Sequence, residues 1–276
     1  MIDLPTNLAD VQRKRLAAFS CEQAVDIHCH CLPGLDDGPA TLAESLALCG
    51  ALVADGTTVV MATPHQLGGY EGINRAAVVR GAVERLNQTI TAHGIPLRVV
   101  AGGEIRVDDQ LMHLLEQDEV LTLGDSGTHL LLELPHDVMV DLRPLVRELI
   151  KRGITPIISH PERHGHICRK PDLILPWLQL GAILQVTAGS ILGGFGLLAQ
   201  KTAWHLLSTG KVSVVASDAH DISRRPPSMS DAIEAIKSRL GHAVARRICI
   251  ENPLRIFEGA PIGRTVAATV ICGGRS

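Results

Sequence analysis

Near the start of the chain, Asp26-Ile27-His28-Cys29-His30 combines a carboxylate with two imidazoles at alternate positions. Side chains two apart on a strand point the same way, so this spacing predicts Asp26, His28 and His30 on one face. Paired imidazoles on a sheet face suit a divalent metal better than a core. A second cluster, Ser217-Asp218-Ala219-His220, closes another apolar run near the far end. Between them stand Asp36 and Asp37, in the loop after the first run, and His65, Glu104, Glu133 and His160, each following a further apolar run. Each alone has an ordinary explanation: a hydrogen-bonded histidine, a capping Glu, a turn Asp before Gly38-Pro39. Together they would concentrate buried charge unless cations neutralised it. His28, His30, Asp37, His65, Glu104, Glu133, His160, Asp218 and His220 offer nine side chains. One ion takes about four to six donors, so this set suits roughly two or three. Imidazole and carboxylate without thiolate fit Mn, Fe or Zn alike.

The elements that must position these groups alternate along the chain. Strands are predicted over 24–29, 57–62, 97–102, 128–134, 154–159, 182–187 and 212–217. Helical spacing occupies 40–55, 74–93, 141–152, 171–180 and 197–209. Gly56, Gly153, Gly181 and Gly210 stand where helix C-caps belong. This alternation predicts an α/β fold, one barrel-like parallel sheet wrapped by helices, with an open doubly wound sheet as the alternative. In such folds chemistry gathers at the carboxyl ends of the strands, where these candidates fall. Only the sixth strand, ending Val186-Thr187-Ala188-Gly189, supplies no strong ligand.

The 276 residues carry a net charge of −3, with 46% apolar and 20% charged side chains, which excludes a disordered chain. No basic block and only six aromatic residues argue against a nucleic-acid surface. The apolar runs are too short for membrane insertion, and no signal-peptide core follows Arg13-Lys14-Arg15. Seven cysteines without a C-x-x-C pair fit a reducing, cytoplasmic setting.

The stretch Asp26 to Pro39 resembles the opening motif of the polymerase-and-histidinol-phosphatase (PHP) superfamily. More narrowly, it is similar to the bacterial protein-tyrosine phosphatases of capsule and exopolysaccharide operons. Ala62-Thr63-Pro64-His65, Gly102-Gly103-Glu104, Ser159-His160-Pro161-Glu162-Arg163, Val186-Thr187-Ala188-Gly189-Ser190, Ser217-Asp218-Ala219-His220, Arg225-Pro226-Pro227 and Glu251-Asn252-Pro253 continue the match over about residues 24–259. The resemblance implies a distorted (β/α)7 TIM-like barrel with a trinuclear, usually manganese, site. It implies His28, His30, Glu104 and Asp218 on one ion, Glu104, Glu133 and His160 on a second, and Asp37, His65 and His220 on a third. It implies a tyrosine autokinase of polysaccharide export as partner. The chain then divides into an N-terminal extension (1–22), a PHP metallophosphatase domain (23–260) and a C-terminal tail (261–276). The extension, Cys29, Cys31 and His164 depart from the family pattern; an aromatic is more usual where His164 stands.

Metal coordination lowers the pKa of water to about 7, which supplies hydroxide for attack on phosphorus. Arg163 and Arg225, with Arg224 beside the latter, are the expected phosphate-binding guanidinium groups. A phenol leaves with a pKa near 10, so strong general-acid help is less needed and none is assigned. Cys249-x5-Arg255 formally matches a thiol-phosphatase signature, but Pro253 lacks an N–H, Glu251 repels phosphate and no glycine intervenes. Cys249 is expected in the core, and Cys29, between two inward histidines, in the helix layer. The run Gly193-Gly194-Phe195-Gly196 lacks a nucleotide fingerprint and reads as a mobile rim loop. His113, His129, His136, His166 and His205 are expected to face solvent or bond locally. The alternatives are a phosphatase for a small phosphomonoester such as histidinol phosphate, an amidohydrolase-type metal barrel, and a non-catalytic docking protein. Glu133 stands where an amidohydrolase would place its bridging lysine.

Overall fold

The structure, a computed structural model, describes residues 24–135 and 138–262. The expected extension over 1–22, the tail beyond residue 262 and His136 lie outside the described residues. The strands are β1 (Val25–Cys29), β2 (Val59–Ala62), β3 (His65–Gln66), β4 (Arg98–Ala101), β5 (Glu104–Arg106), β6 (His129–Glu133), β7 (Thr155–Ile158), β8 (Ile183–Thr187) and β9 (Val214–Ala216). They form a curled parallel array, in the orders β1-β2-β4 and β3-β5-β6-β7-β8-β9. All seven expected strands are present, and β3 and β5 continue two of them past an interruption. Thr63-Pro64 interrupts one, since proline has no N–H for the ladder. Gly102-Gly103 interrupts the other. A Cβ on Gly103 would lie 2.1 Å from Gln66 Oε1, so the Gln66 side chain occupies the gap. There it accepts from the Leu121 N–H at 2.9 Å.

The helices that bear on the site are α1 (Leu42–Ala54), α2 (Ala76–Ala92), α3 (Arg143–Lys151), α4 (Ala188–Leu192), α5 (Gly196–Ser208) and α6 (Met229–Leu240). A capping box starts α1: Glu44 N–H donates to Thr41 Oγ1 and Thr41 N–H to Glu44 Oε2, at 3.3 and 3.0 Å. The helix expected over 171–180 is split into a 3-10 turn, Pro171–Ile174, and a short helix, Leu175–Gln179, with a proline near the start of each. Val146 and Leu149 of α3 pack in the same core cluster as Leu130, Leu132 and Ile158 on the outer face of the sheet. Val25, Ile27, Met61, Leu131, Ile157, Val214 and Ala216 fill the inner face.

One expectation about β1 is corrected. Its pairing with β2 shifts register between Asp26 and Cys29. Such an irregularity transfers residues from one face to the other. Val25 and Ile27 therefore sit in the inner cluster, while Cys29 joins Leu48, Cys49 and Leu52 of α1 in the helix layer. His28 and His30 point inward as expected, but Asp26 does not share their face. It accepts instead from the backbone N–H and the hydroxyl of Ser217. Asp26 thus ties β1 to the end of β9, where His30 N–H donates to Ala219 O and Asp218 N–H to His28 O, at 2.9 and 2.8 Å. The first and last strands meet there, and the two motifs 190 residues apart become neighbours.

Candidate metal centre

The carboxyl ends of the strands bring all nine expected ligands together. Four overlapping groups have ligand atoms mutually within 4.8 Å: His30, Asp37, His65 and His220; His28, His30 and Glu104; His28, His160 and Asp218; His65, Glu104 and Glu133. Glu104 is the hub. It lies 2.8 Å from His160 Nε2, 3.1 Å from His65 Nδ1, 3.4 Å from His28 Nε2 and 3.5 Å from His30 Nε2. Asp37 Oδ1 lies 3.1 Å from His220 Nε2 and 3.4 Å from His65 Nε2. The backbone is bent to achieve this. His160 and Asp218 adopt φ of +31° and +53°, a region disfavoured for residues with a Cβ.

The donor set fits divalent cations. Glu104 Oε2, Asp218 Oδ1 and His220 Nε2 are buried and, despite their close neighbours, make no well-directed hydrogen bond among the described residues. The His28 and His30 Nε2 atoms face each other at 3.1 Å. At most one of them can carry a proton toward the other, whereas two lone pairs converging on a cation need none. The electrostatics agree. Burial opposes charge on His28, but Glu104 and Asp218 outweigh it and raise its pKa to about 9. His65 is also raised, burial being overcome by Asp37, Glu104 and Glu133. Glu104 and Asp218 stay ionised despite burial, held down chiefly by His28 and by Arg163 respectively. The outcome differs within the centre: burial, reinforced by Arg163 and by His30 respectively, lowers His160 and His220, the latter to about 4.

Arg163 Nη1 and Arg225 Nη2 converge on one oxygen, Asp218 Oδ2, at 2.9 and 2.8 Å. Arg224 does not join them, contrary to expectation. Its side chain is 91% exposed and its Nε lies 3.9 Å from Asp221. Asp221 Oδ1 accepts from three successive N–H groups, Ser223 to Arg225, and this turn aims Arg225 inward and Arg224 outward.

Several supporting residues escaped the sequence reading. Asp36, treated as a turn residue, accepts from His30 Nδ1 at 2.6 Å and from the His65 N–H at 3.1 Å. Gln185 Oε1 holds His28 Nδ1 at 3.0 Å and the His160 N–H at 3.4 Å. Its signal was present: a lone polar residue inside the apolar strand Ile183–Thr187. Arg106 Nη2 pairs with Glu133 at 3.0 Å, and Tyr70 stacks on His65 with ring centroids 5.6 Å apart. His164 is buried, and its Nε2–H donates to Pro135 O at 2.9 Å. His113, His166 and His205 are exposed, but His129 is buried, bonded to Thr128 Oγ1 at 2.9 Å. Cys249 lies in the core, its thiol pKa pushed up by burial. Gly193-Gly194-Phe195-Gly196 is a tight junction between α4 and α5 at the rim of the centre.

Comparison with known proteins extends these observations. The family model described as "Capsular polysaccharide synthesis, CpsB/CapC" matches residues 24–258. Tyrosine-protein phosphatase YwqE of Bacillus subtilis is 34% identical over 79% of this chain and 85% of its own. Tyrosine-protein phosphatase CpsB of Streptococcus pneumoniae is 26% identical over 84% of this chain and 98% of its own. A solved structure from a study of those two proteins, described as unique metal-dependent tyrosine phosphatases, superposes with a TM-score of 0.83. It is 32% identical and covers 87% of this chain and 96% of that chain. A lactonase from Listeria monocytogenes shares the fold alone, at 11% identity and a TM-score of 0.52. With the matched segment running from the start of β1 to the end of the last described helix, this chain belongs to the CpsB/CapC capsular polysaccharide synthesis family.

Proposed function

We propose that this chain is a metal-dependent protein-tyrosine phosphatase. The observation that carries the reading is the convergence of nine imidazole and carboxylate groups beside two guanidinium groups that share Asp218. The names of the relatives support it. His28, His30, Glu104 and Asp218 would hold one divalent ion, and Asp37, His65 and His220, with His30 in reach, another. Glu104 and Glu133 would hold a third, with His65 and His160 both in contact with Glu104. Manganese is our first choice of metal. Bound ions of this kind acidify water and neutralise phosphoryl oxygens in an in-line displacement.

The protein's own groups do the rest. Arg163 and Arg225 orient the phosphoryl oxygens through planar N–H forks. Asp36 and Gln185 fix the ring orientations of His30 and His28. Tyr70, stacked on His65, offers an aromatic wall beside the centre for the phenyl ring. A phenolate leaving group has less need of strong general-acid help, and no acid is assigned.

We also read the two sheets as one distorted (β/α)7 barrel, interrupted at Thr63-Pro64 and Gly102-Gly103. The isolated parallel bridge Cys29–Ala219 supports closure between β1 and β9. The PHP domain would then span 23–260. The free cysteines Cys29, Cys31, Cys49, Cys168 and Cys249 support a cytoplasmic setting. The family's link to capsular polysaccharide synthesis supports a tyrosine autokinase of that system as the protein substrate.

The test is hydrolysis of a phosphotyrosine peptide, p-nitrophenyl phosphate and histidinol phosphate by protein loaded with Mn or Zn, treated with chelator, or alkylated at thiols. We expect peptide turnover that chelator abolishes and alkylation spares. Turnover of histidinol phosphate alone would move the assignment to a small phosphomonoester. Turnover that survives exhaustive chelation would reject the metal reading.

A further inference from the structure

The strand end that supplies no ligand supplies an aromatic ring instead. β8 leads through α4 into Gly193-Gly194-Phe195-Gly196, which lies in chain order between the segments carrying Arg163 and Arg225. The Cζ atoms of both arginines lie over the Phe195 ring, 4.6 and 5.6 Å from its centroid. The backbone is shaped for this placement. Gly193 and Gly196 take φ of +93° and +86°, and Gly194 N–H donates to Gly189 O at 2.8 Å. A Cβ on Gly189 would lie 3.0 Å from Phe195 Cε2, so the ring rests on a bare backbone.

Two guanidinium groups gathered this closely repel each other, and three features oppose that repulsion. Asp218 Oδ2 touches both. Asp37 Oδ2 lies 3.6 Å from Arg225 Nη1. The third is the negative face of the Phe195 ring. Under the function proposed above, Asp218 and Asp37 are also metal ligands, so their charge is shared with cations just when the arginines must receive phosphate. The ring is a support that metal binding leaves untouched.

We propose that Phe195 is a positioning residue of the phosphate site. It holds Arg163 and Arg225 side by side so that both guanidinium groups meet one phosphoryl group. This rests on the phosphatase reading for its purpose, but its measurement does not require turnover. Phosphate offers the tetrahedral oxygens that two such forks can engage together.

The test uses metal-loaded protein and inorganic phosphate as the probe. Calorimetry gives the phosphate Kd, elemental analysis the metal content, and steady-state assays the KM and kcat on p-nitrophenyl phosphate. Phe195→Leu should weaken phosphate binding about tenfold and raise KM alike, with metal content unchanged. Phe195→Tyr, which keeps the ring face, should recover most of the loss. Phe195→Met, flexible and apolar, should behave as Phe195→Leu and serves in its place if that variant does not fold. Phosphate affinity within twofold of the parent in the Leu and Met variants would overturn the proposal, as would a Tyr variant no better than Leu. Should the parent fail to hydrolyse phosphotyrosine while Phe195→Leu still loses phosphate affinity, the substrate reading falls and the role of Phe195 stands.

Discussion

Strand β6 carries His129 at its first position and Glu133 at its last, with Leu131 of the inner core between them. The two ends of this one strand face opposite chemistry. At the Glu133 end, histidines are pressed against carboxylates, and His28 is raised to about 9 by Glu104 and Asp218 in spite of its burial. At the other end, His129 is equally hidden but bonds to Thr128 and faces no charged group among the described residues, and burial lowers its pKa to about 4. Burial acts on both rings in the same direction. Only the neighbouring charges differ, and they change the sign of the outcome. Polar groups at the carboxyl ends of a parallel sheet build a site, and those at the amino ends are tolerated structure.

The sharpest way to break that contrast is at the hub. Glu104→Gln keeps the size of the side chain and removes the charge that touches His28, His30, His65 and His160. We expect kcat to fall by about three orders of magnitude, with a loss of bound metal seen by elemental analysis. The matching change at the other end, His129→Gln, should leave kcat and metal content alone. A Glu104→Gln enzyme that kept more than a tenth of the parent rate would remove Glu104 from the centre of the mechanism.

The His129 end has its own signature, read in stability. Its folded pKa of about 4 lies below the ordinary 6.5, so between these values the unfolded chain binds more protons than the folded one. Stability is therefore complete above pH 6.5 and is lost as pH falls toward 4. For this one group the loss between pH 7 and pH 5 is about 2 kcal/mol. Urea denaturation at both pH values should show a loss smaller by about that amount in His129→Gln than in the parent. Equal slopes in the two proteins would mean that His129 finds a proton partner in the folded state.

Much of this contrast was legible in the sequence, because charge interrupts apolar periodicity at strand ends and nowhere else so regularly. His28, Glu104, His160 and Asp218 each follow a run that would otherwise continue as core. What stayed hidden depends on neighbours distant in the chain. Asp36 and Asp37 are adjacent and chemically identical, yet one buttresses His30 and the other faces His65 and His220. Nothing local separates them. The register shift in β1 that turns Asp26 away is likewise set by its pairing with β2. Phe195 lacked any motif, since its partners arrive from two other loops. The helices after residue 229 follow the last strand and have no further strand to mark their period, so the local sequence sets no clear bounds for α6.

The smallest effect belongs to Cys249, whose match to a thiol-phosphatase signature is one of spacing alone. Cys249 and Arg255 have the spacing of a thiol-phosphatase loop, but the fold denies them its geometry. Cys249 sits in a π-helical turn, Arg247–Glu251, 2% exposed and packed within the main core cluster. Arg255 points away, its Nε donating to Pro261 O at 2.9 Å. Burial pushes the Cys249 thiol pKa up, opposite to what a nucleophilic thiolate needs. Cys249→Ala should therefore cost about 1 kcal/mol of packing and leave kcat/KM within about twofold of the parent. A loss of a hundredfold or more, without a fall in Tm or metal content, would return the chemistry to sulfur and make the metal cluster its bystander.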